Sequence, residues 1–235
     1  MLGVSPDRIL PFGAKDNFWQ MGISGPCGPC SEIHYAHLDG DGAKHLVNSN
    51  NDQSVVEIWN LVFMEHFRDV NGNIQPLPKQ HIDTGMGLER MTAIMKGSRS
   101  NYDTDLFEPL FELIHAQTMK LPYGKSFHKY DIFLKIFDIV KTRVCIYLFS
   151  EKDAAYRVLA DHIRMVTVCI CDGILPDASP KMRQVVRKIF RILRNQFGIN
   201  DARHSATILM SLGAQTLGKQ WQRQVTMTKL TRAFS

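Results

Sequence analysis

The most regular alternation of apolar and polar positions lies at Val55–Phe67, a run rich in β-branched and aromatic residues that predicts a strand. One face carries Val56, Ile58, Asn60, Val62 and Met64; the other carries Val55, Glu57, Trp59, Leu61 and Phe63. Asn71-Gly72 follows, the dipeptide of a type I′ hairpin turn, and a returning strand is expected over Ile74–Asp83. Pro76 and Pro78 in that strand suit an edge or a bulge, because proline has no N–H for a ladder. Antiparallel pairing is therefore expected, without a βαβ crossover. Upstream, Asp16–Ile33 holds Gly and Pro at a density that forbids regular helix and predicts a rigid loop or strand edge. His37–Gln53, with its Asp-Gly and Asn clusters, reads as a surface loop.

After Asp83 the period changes. Met91, Ile94 and Met95 recur at helical spacing, and Pro109 suits the first turn of a helix over Leu110–Met119. Asp153 is read as the cap of a helix to Cys171 with Leu159, Ile163, Val166 and Ile170 as its buried stripe. Ser179-Pro180 opens a helix over Lys181–Phe197, and Gly198 stops it. Val185, Val186, Ile189, Ile192, Leu193 and Phe197 line one face of that helix; Arg183, Arg187, Arg191 and Arg194 line the opposite one. Lys125–Lys152 mixes Phe and Ile with Lys and Asp without a clean period, and Asn200–Ser235 is only weakly periodic.

Apolar residues make up 44% of the 235, and 16 Gly bring the share close to that of an ordinary globular chain. A disordered tail, a collagen-like repeat and a disulfide miniprotein are excluded. No apolar run approaches the roughly 18–20 residues of a membrane span, so a soluble chain with no membrane partner is expected. The net charge of +5 hides an asymmetry. Residues 1–125 carry 10 basic and 15 acidic side chains, whereas residues 126–235 carry 18 and 8. Such a basic second half suits a polyanionic partner, or else an unevenly solvated surface. An odd count of 5 Cys favours free thiols in a reducing compartment, and Met1–Arg8 does not resemble a transit peptide.

Chemistry concentrates at Asp83-Thr84-Gly85-Met86-Gly87-Leu88-Glu89-Arg90. Glycines let a ligand approach the backbone, a helix start favours an anion, and Arg90 suits phosphate oxygens. Asp83 could hold an ammonium. Alone, the glycine pair is also what a structural turn requires. Asn60, polar on an otherwise apolar strand face, either bonds neighbouring backbone or faces a ligand. Trp19 could stack on a ligand or fill space. Cys27-Gly28-Pro29-Cys30 has the spacing of a zinc half-site or redox pair, but no second pair and no thioredoxin-type setting accompany it, so a structural role is preferred. The arginine stripe could follow a phosphate backbone or simply be solvated.

In order along the chain, Asn17-Phe18-Trp19, Gly25-Pro26-Cys27-Gly28-Pro29-Cys30-Ser31-Glu32-Ile33-His34-Tyr35, Glu57–Phe63, Asp83–Arg90, Asn101–Phe107 and Tyr156–Arg164 resemble the alanyl-tRNA synthetase family over about residues 5–125 and 151–195. The resemblance implies an α+β fold: the C-terminal part of a class II synthetase core, an antiparallel sheet flanked by helices, followed by a helical tRNA-recognition region. It implies a partial aminoacylation core over 1–125, an atypical insertion over 126–150, recognition helices over 151–198 and a divergent tail over 199–235. It further implies ATP with Mg²⁺, alanine, and the acceptor stem of tRNA(Ala) as ligands, the products being alanyl-adenylate and then alanyl-tRNA. Arg90 would be catalytic and would bind ATP with Gly87. Asp83 would pair with the alanine ammonium, Asn60 with its carboxylate, Trp19 would form a wall and Gly85 would leave room for a methyl group only. Arg183, Arg187, Arg191 and Arg194 would contact tRNA. No metal-ligand set is implied in this chain, zinc being expected only in the family's editing domain. The first two class signature motifs have no counterpart here, which implies inactivity of this chain alone; a truncated, non-catalytic RNA-binding relative is the alternative. The family's Asn- and Gly-bearing loop that helps read a G·U pair is replaced by Asp177-Ala178-Ser179-Pro180-Lys181. Such drift resembles mitochondrial members more than cytoplasmic ones.

Overall fold

The computed structural model describes residues 4–38, 41–49, 54–124, 139–176 and 179–221. The chain forms two compact units, Met1–Thr104 and Asp105–Ser235.

The first unit is built on four antiparallel strands in the order β1 (Phe18–Gln20), β2 (Gly25–Ala36), β3 (Val55–Arg68) and β4 (Ile74–Met86). The β3–β4 hairpin is the one expected, and β4 is an edge strand whose register breaks between the Met64–His81 and His66–Pro76 pairs, where Pro78 lies. The turn differs from the sequence reading. Asn71 does not have the positive φ that a type I′ turn needs at both central residues; only Gly72 does, at 89°. Asp69 organises the loop instead. Its carboxylate accepts from Asn71 N and Asn73 N, and its carbonyl accepts from Gly72 N. The Asn73 side-chain amide, which donates to Asp69 Oδ2 at 2.9 Å, and then these backbone N–H groups hold the Asp69 carboxyl below its usual range.

The glycine- and proline-rich stretch also departs from expectation, because β2 lies inside the sheet between β1 and β3. Two irregularities make this possible. Between Cys27 and Cys30 the register with β3 shifts, so that Pro29, which cannot donate to a ladder, falls where the pairing is broken. Gly28 is needed there for a different reason: a Cβ would stand 1.9 Å from the Phe63 carbonyl oxygen. A second shift follows between Ile33 and His34. The alternation read along the whole of Val55–Phe67 therefore holds cleanly against both neighbouring strands only from Trp59 to Val62, between the two shifts. Gly87 then starts α1 (Leu88–Lys96), and Gly97, at φ 72°, closes it. The loop after β2 contains a short 3₁₀ turn at Asp41–Leu46.

The second unit is helical: α2 (Glu108–Thr118), α3 (Ile139–Cys171), α4 (Pro180–Phe197) and α5 (Ala202–Trp221). Pro109 sits in the first turn of α2, as read. The helix assigned to Asp153–Cys171 begins much earlier, at Ile139, so Asp153 is not a cap; its Oδ1 accepts from Gly124 N at 3.3 Å. The expected stripe of Leu159, Ile163, Val166 and Ile170 is fully buried. Ser179 caps α4 by accepting from Met182 N, and Gly198 ends it in the left-handed conformation. The weakly periodic stretch after Asn200 folds as α5, with Ser205, Ile208, Leu209 and Leu212 buried at helical spacing. Residues 125–138 of the aperiodic stretch, Asp177 and Ala178 of the loop before α4, and the tail beyond Trp221 lie outside the described residues. No helix among the described residues is long and apolar enough to cross a membrane.

Candidate functional site

Strand register decides which side chains share a surface, since directly opposed residues project to the same face. Asn60 on β3 stands opposite Glu32 on β2 and Gly85 on β4. Two positions along, Val62 stands opposite Cys30 and Asp83, which places them on that face too. Trp19 joins from β1, opposite Gly28, which alternates onto the Cys30 side. The sheet thus gathers Trp19, Asn60, Asp83 and Gly85, four residues drawn from three strands, on one surface.

Asn60 is half-buried, and its amide nitrogen donates to Glu32 Oε1 at 3.4 Å. Its Oδ1 is buried without a partner among the described residues, an arrangement that costs free energy until a donor arrives. In this orientation the amide complements an ammonium; a half-turn of the side chain presents the nitrogen to a carboxylate instead. Asp83 is exposed on the edge strand, with Oδ1 accepting from Thr84 N at 2.9 Å. Above Gly85 the space is open, with no heavy atom within 4 Å of where a Cβ would stand. A side chain there would fill the surface beside Asn60.

Gly87 and Arg90 are coupled at the strand-to-helix junction. Gly87 N donates to Ile58 O, which ties the junction to β3. A Cβ on Gly87 would come within 3.2 Å of Arg90 Cδ, so the glycine lets the arginine fold back over the turn. The guanidinium then donates to the Glu57 carbonyl at 2.6 Å and lies 3.6 Å from its carboxylate. Glu57 in turn acts on Glu32 and Cys30. Burial first, then repulsion from Glu57, pushes the Glu32 carboxyl up, with His34 at 3.6 Å opposing and Asp16 adding to the rise. Arg90 is therefore connected through Glu57 and Glu32 to Asn60.

Glu32 and Glu57 escaped the sequence reading. Their signal was there: an acid in an apolar strand, and another at the first charged position after the glycine–proline run. A carboxyl whose pKa is raised in the folded state contributes stability below its unfolded pKa and loses it as the pH rises through the folded value. Glu32→Gln is accordingly expected to raise the denaturation midpoint at pH 7 and to bring no gain below pH 4. Urea titration at both values checks the sign, and destabilisation at pH 7 would contradict it.

Cys27 and Cys30 are buried free thiols. Three positions apart on a strand, they point to opposite faces. Burial and the nearby Glu32 push the Cys30 thiol up, the wrong direction for a nucleophile. Among the described residues no group of three His, Cys, Asp or Glu could hold a metal ion.

In the helical unit, Arg183, Arg187, Arg191 and Arg194 are all exposed along α4, opposite its buried Met182, Ile189, Leu193 and Phe197. None of the four forms an ion pair among the described residues. A notch of about 410 Å³ opens between the C-terminal half of α4 and the start of α5, with Arg187, Arg191 and Arg194 among its lining residues.

With this geometry in hand, the chain can be placed among known proteins. Residues 1–223 match the family model of the class II tRNA synthetases (A), and the chain belongs to that family. Its relatives are alanine–tRNA ligases. It is 42% identical over 217 residues to the mitochondrial enzyme of Saccharomyces cerevisiae, 91% of this chain and 20% of the relative. It is 49% identical over 190 residues to the cytoplasmic enzyme of Caenorhabditis elegans, 81% of this chain and 18% of the relative. It is 45% identical over 193 residues to the mitochondrial enzyme of Homo sapiens, 81% of this chain and 17% of the relative. The chain spans about a fifth of the length of the curated relatives it matches.

Proposed function

We propose that the chain supplies the alanine-binding and part of the ATP-binding surface of an alanine–tRNA ligase, a later part of the catalytic core, followed by helices that hold tRNA. The observation that carries this reading is the gathering of Asn60, Asp83 and Gly85 on one sheet face, with Arg90 anchored beside it through Glu57. In the activation step an alanine carboxylate oxygen attacks the α-phosphorus of ATP, and pyrophosphate leaves. Asp83 pairs with the alanine ammonium. Asn60 presents its amide to the polar end of the amino acid, Trp19 walls the pocket, and the open space over Gly85 takes the methyl group. Arg90 and the Gly87 turn receive the phosphates, where a guanidinium stabilises the charge of departing pyrophosphate. Mg²⁺ would accompany the nucleotide, as the family reading implies, and would neutralise phosphate charge beside Arg90. Alanine is then transferred to the terminal ribose of tRNA(Ala), whose acceptor-stem phosphates suit Arg183, Arg187, Arg191 and Arg194. The division into a partial core over 1–125, an insertion over 126–150, recognition helices over 151–198 and a tail over 199–235 belongs to the same reading. So does a mitochondrial location, with the cytoplasm as the alternative.

These 235 residues cover about a fifth of the relatives' length, and on this reading they bind ligand without completing catalysis. The purified chain is expected to bind a non-hydrolysable alanyl-adenylate analogue in calorimetry and to show no alanine-dependent pyrophosphate exchange. Exchange above background would overturn the inactivity. Absence of analogue binding, with RNA binding retained, would favour the non-catalytic RNA-binding relative, the reading to which the exposed arginines of α4 also contribute.

A further inference from the structure

The notch between α4 and α5 is more than an extension of the arginine stripe. Arg187, Arg191 and Arg194 form its charged side, while Phe190 and Ile199, both half-buried, give it an apolar floor. Two caps fix its shape. Gly198 N donates to Arg194 O and Ile199 N to Leu193 O, which ends α4. The Asp201 carboxylate accepts from Arg203 N and His204 N, so this acid is committed to the start of α5. Arg183, one turn earlier on the same stripe, is not part of the notch.

Resting on the reading of this face as RNA-binding, we propose that the notch holds one unpaired nucleotide of the bound RNA, its base on Phe190 and Ile199 and its phosphate on the three guanidinium groups. A duplex backbone would use the charge and leave the floor empty; an extruded nucleotide uses both. The volume of about 410 Å³ falls within the range of small-ligand sites, about 300–1,000 Å³. Asn200, also in the lining, adds a side-chain amide able to donate or accept.

The test uses the full chain and two labelled RNA hairpins in fluorescence anisotropy, one blunt and one ending in a single unpaired 3′ uridine. Wild type is expected to prefer the overhang by ~10-fold, the worth of one stacked base. Ala202 is the exposed first residue of α5 and lines the notch, so Ala202→Phe fills it without burying new bulk in the core. That variant is expected to erase the preference while leaving the blunt hairpin unaffected. Arg183→Ala is expected to weaken both hairpins alike, by ~3-fold. Uridine monophosphate should displace the overhang RNA at lower concentration than inorganic phosphate. A preference that survives Ala202→Phe, or phosphate competing as well as the nucleotide, overturns the pocket. Uridine monophosphate binding that is sensitive to Ala202→Phe, with no hairpin bound, would leave the pocket standing and end the RNA reading. Failure of both ligands would end both.

Discussion

Asp83→Ala is expected to weaken binding of an alanyl-adenylate analogue by ~30-fold, about 2 kcal/mol, with little change in the binding of AMP alone. The carboxylate is the one acidic group on the face shared with Asn60 and Gly85 that comes from the edge strand, where a ligand ammonium can reach it. A charge-assisted hydrogen bond to an ammonium contributes about 1.5–3 kcal/mol, and nothing else on that strand can replace it. Because Asp83 is exposed and its carboxylate accepts only from the neighbouring Thr84 amide among the described residues, the substitution should change folding stability by no more than about 0.5 kcal/mol. The loss can therefore be assigned to recognition. Asp83→Asn separates charge from shape: it keeps the hydrogen-bond acceptor, removes the negative charge, and should fall between wild type and Ala. Equal weakening of AMP by Asp83→Ala would mean that the residue acts on the nucleotide or on the fold, and would defeat its assignment to the amino group.

What the sequence made legible follows from how local each signal is. The β3–β4 pairing, the prolines of the edge strand, the Ser179 cap and the Gly198 stop are set within a few residues, and each is where it was read. Central β2 was misread because Gly and Pro normally mark loops; two register shifts that no local pattern announces let the sheet accept them. The hairpin turn was misread because Asp69, three residues ahead of Gly72, outbids the Asn-Gly dipeptide as organiser. Helix α5 escaped notice since its buried stripe starts with Ser205 and is interrupted by polar neighbours that dilute the period. Among the site residues, Asn60, Asp83, Gly85 and Arg90 stood out as polar or glycine positions in apolar or turning contexts. Glu32 and Glu57 did not, because their interest arises from the approach of β2 and β3, a relation of tertiary structure.

Tyr156→Ala is expected to cost the helical unit about 3–5 kcal/mol, the largest stability effect of any single truncation proposed for this chain. The side chain is fully buried and meets Phe197 edge-on at 5.1 Å, Phe111 at 6.1 Å and Tyr123 at 6.2 Å, so residues from α2, α3 and α4 and from the segment after α2 converge on one ring. Its hydroxyl donates to the Leu121 carbonyl at 3.0 Å, and Lys152 Nζ lies 5.8 Å from the ring centre. Truncation opens a cavity and strands the Leu121 acceptor at once. Tyr156→Phe isolates the second contribution and should cost about 1 kcal/mol. Burial pushes the phenol up to about 12, so the neutral form is favoured in the folded state. Stability from this group is present below pH 10, the ordinary phenol value, and is lost as the pH climbs toward 12; Tyr156→Phe removes that dependence. Urea denaturation followed by circular dichroism at 222 nm, which reports chiefly on the helices, measures all three quantities. A cost below about 1.5 kcal/mol for the alanine variant, with an unchanged denaturant slope, would mean that the ring is not the keystone of this core.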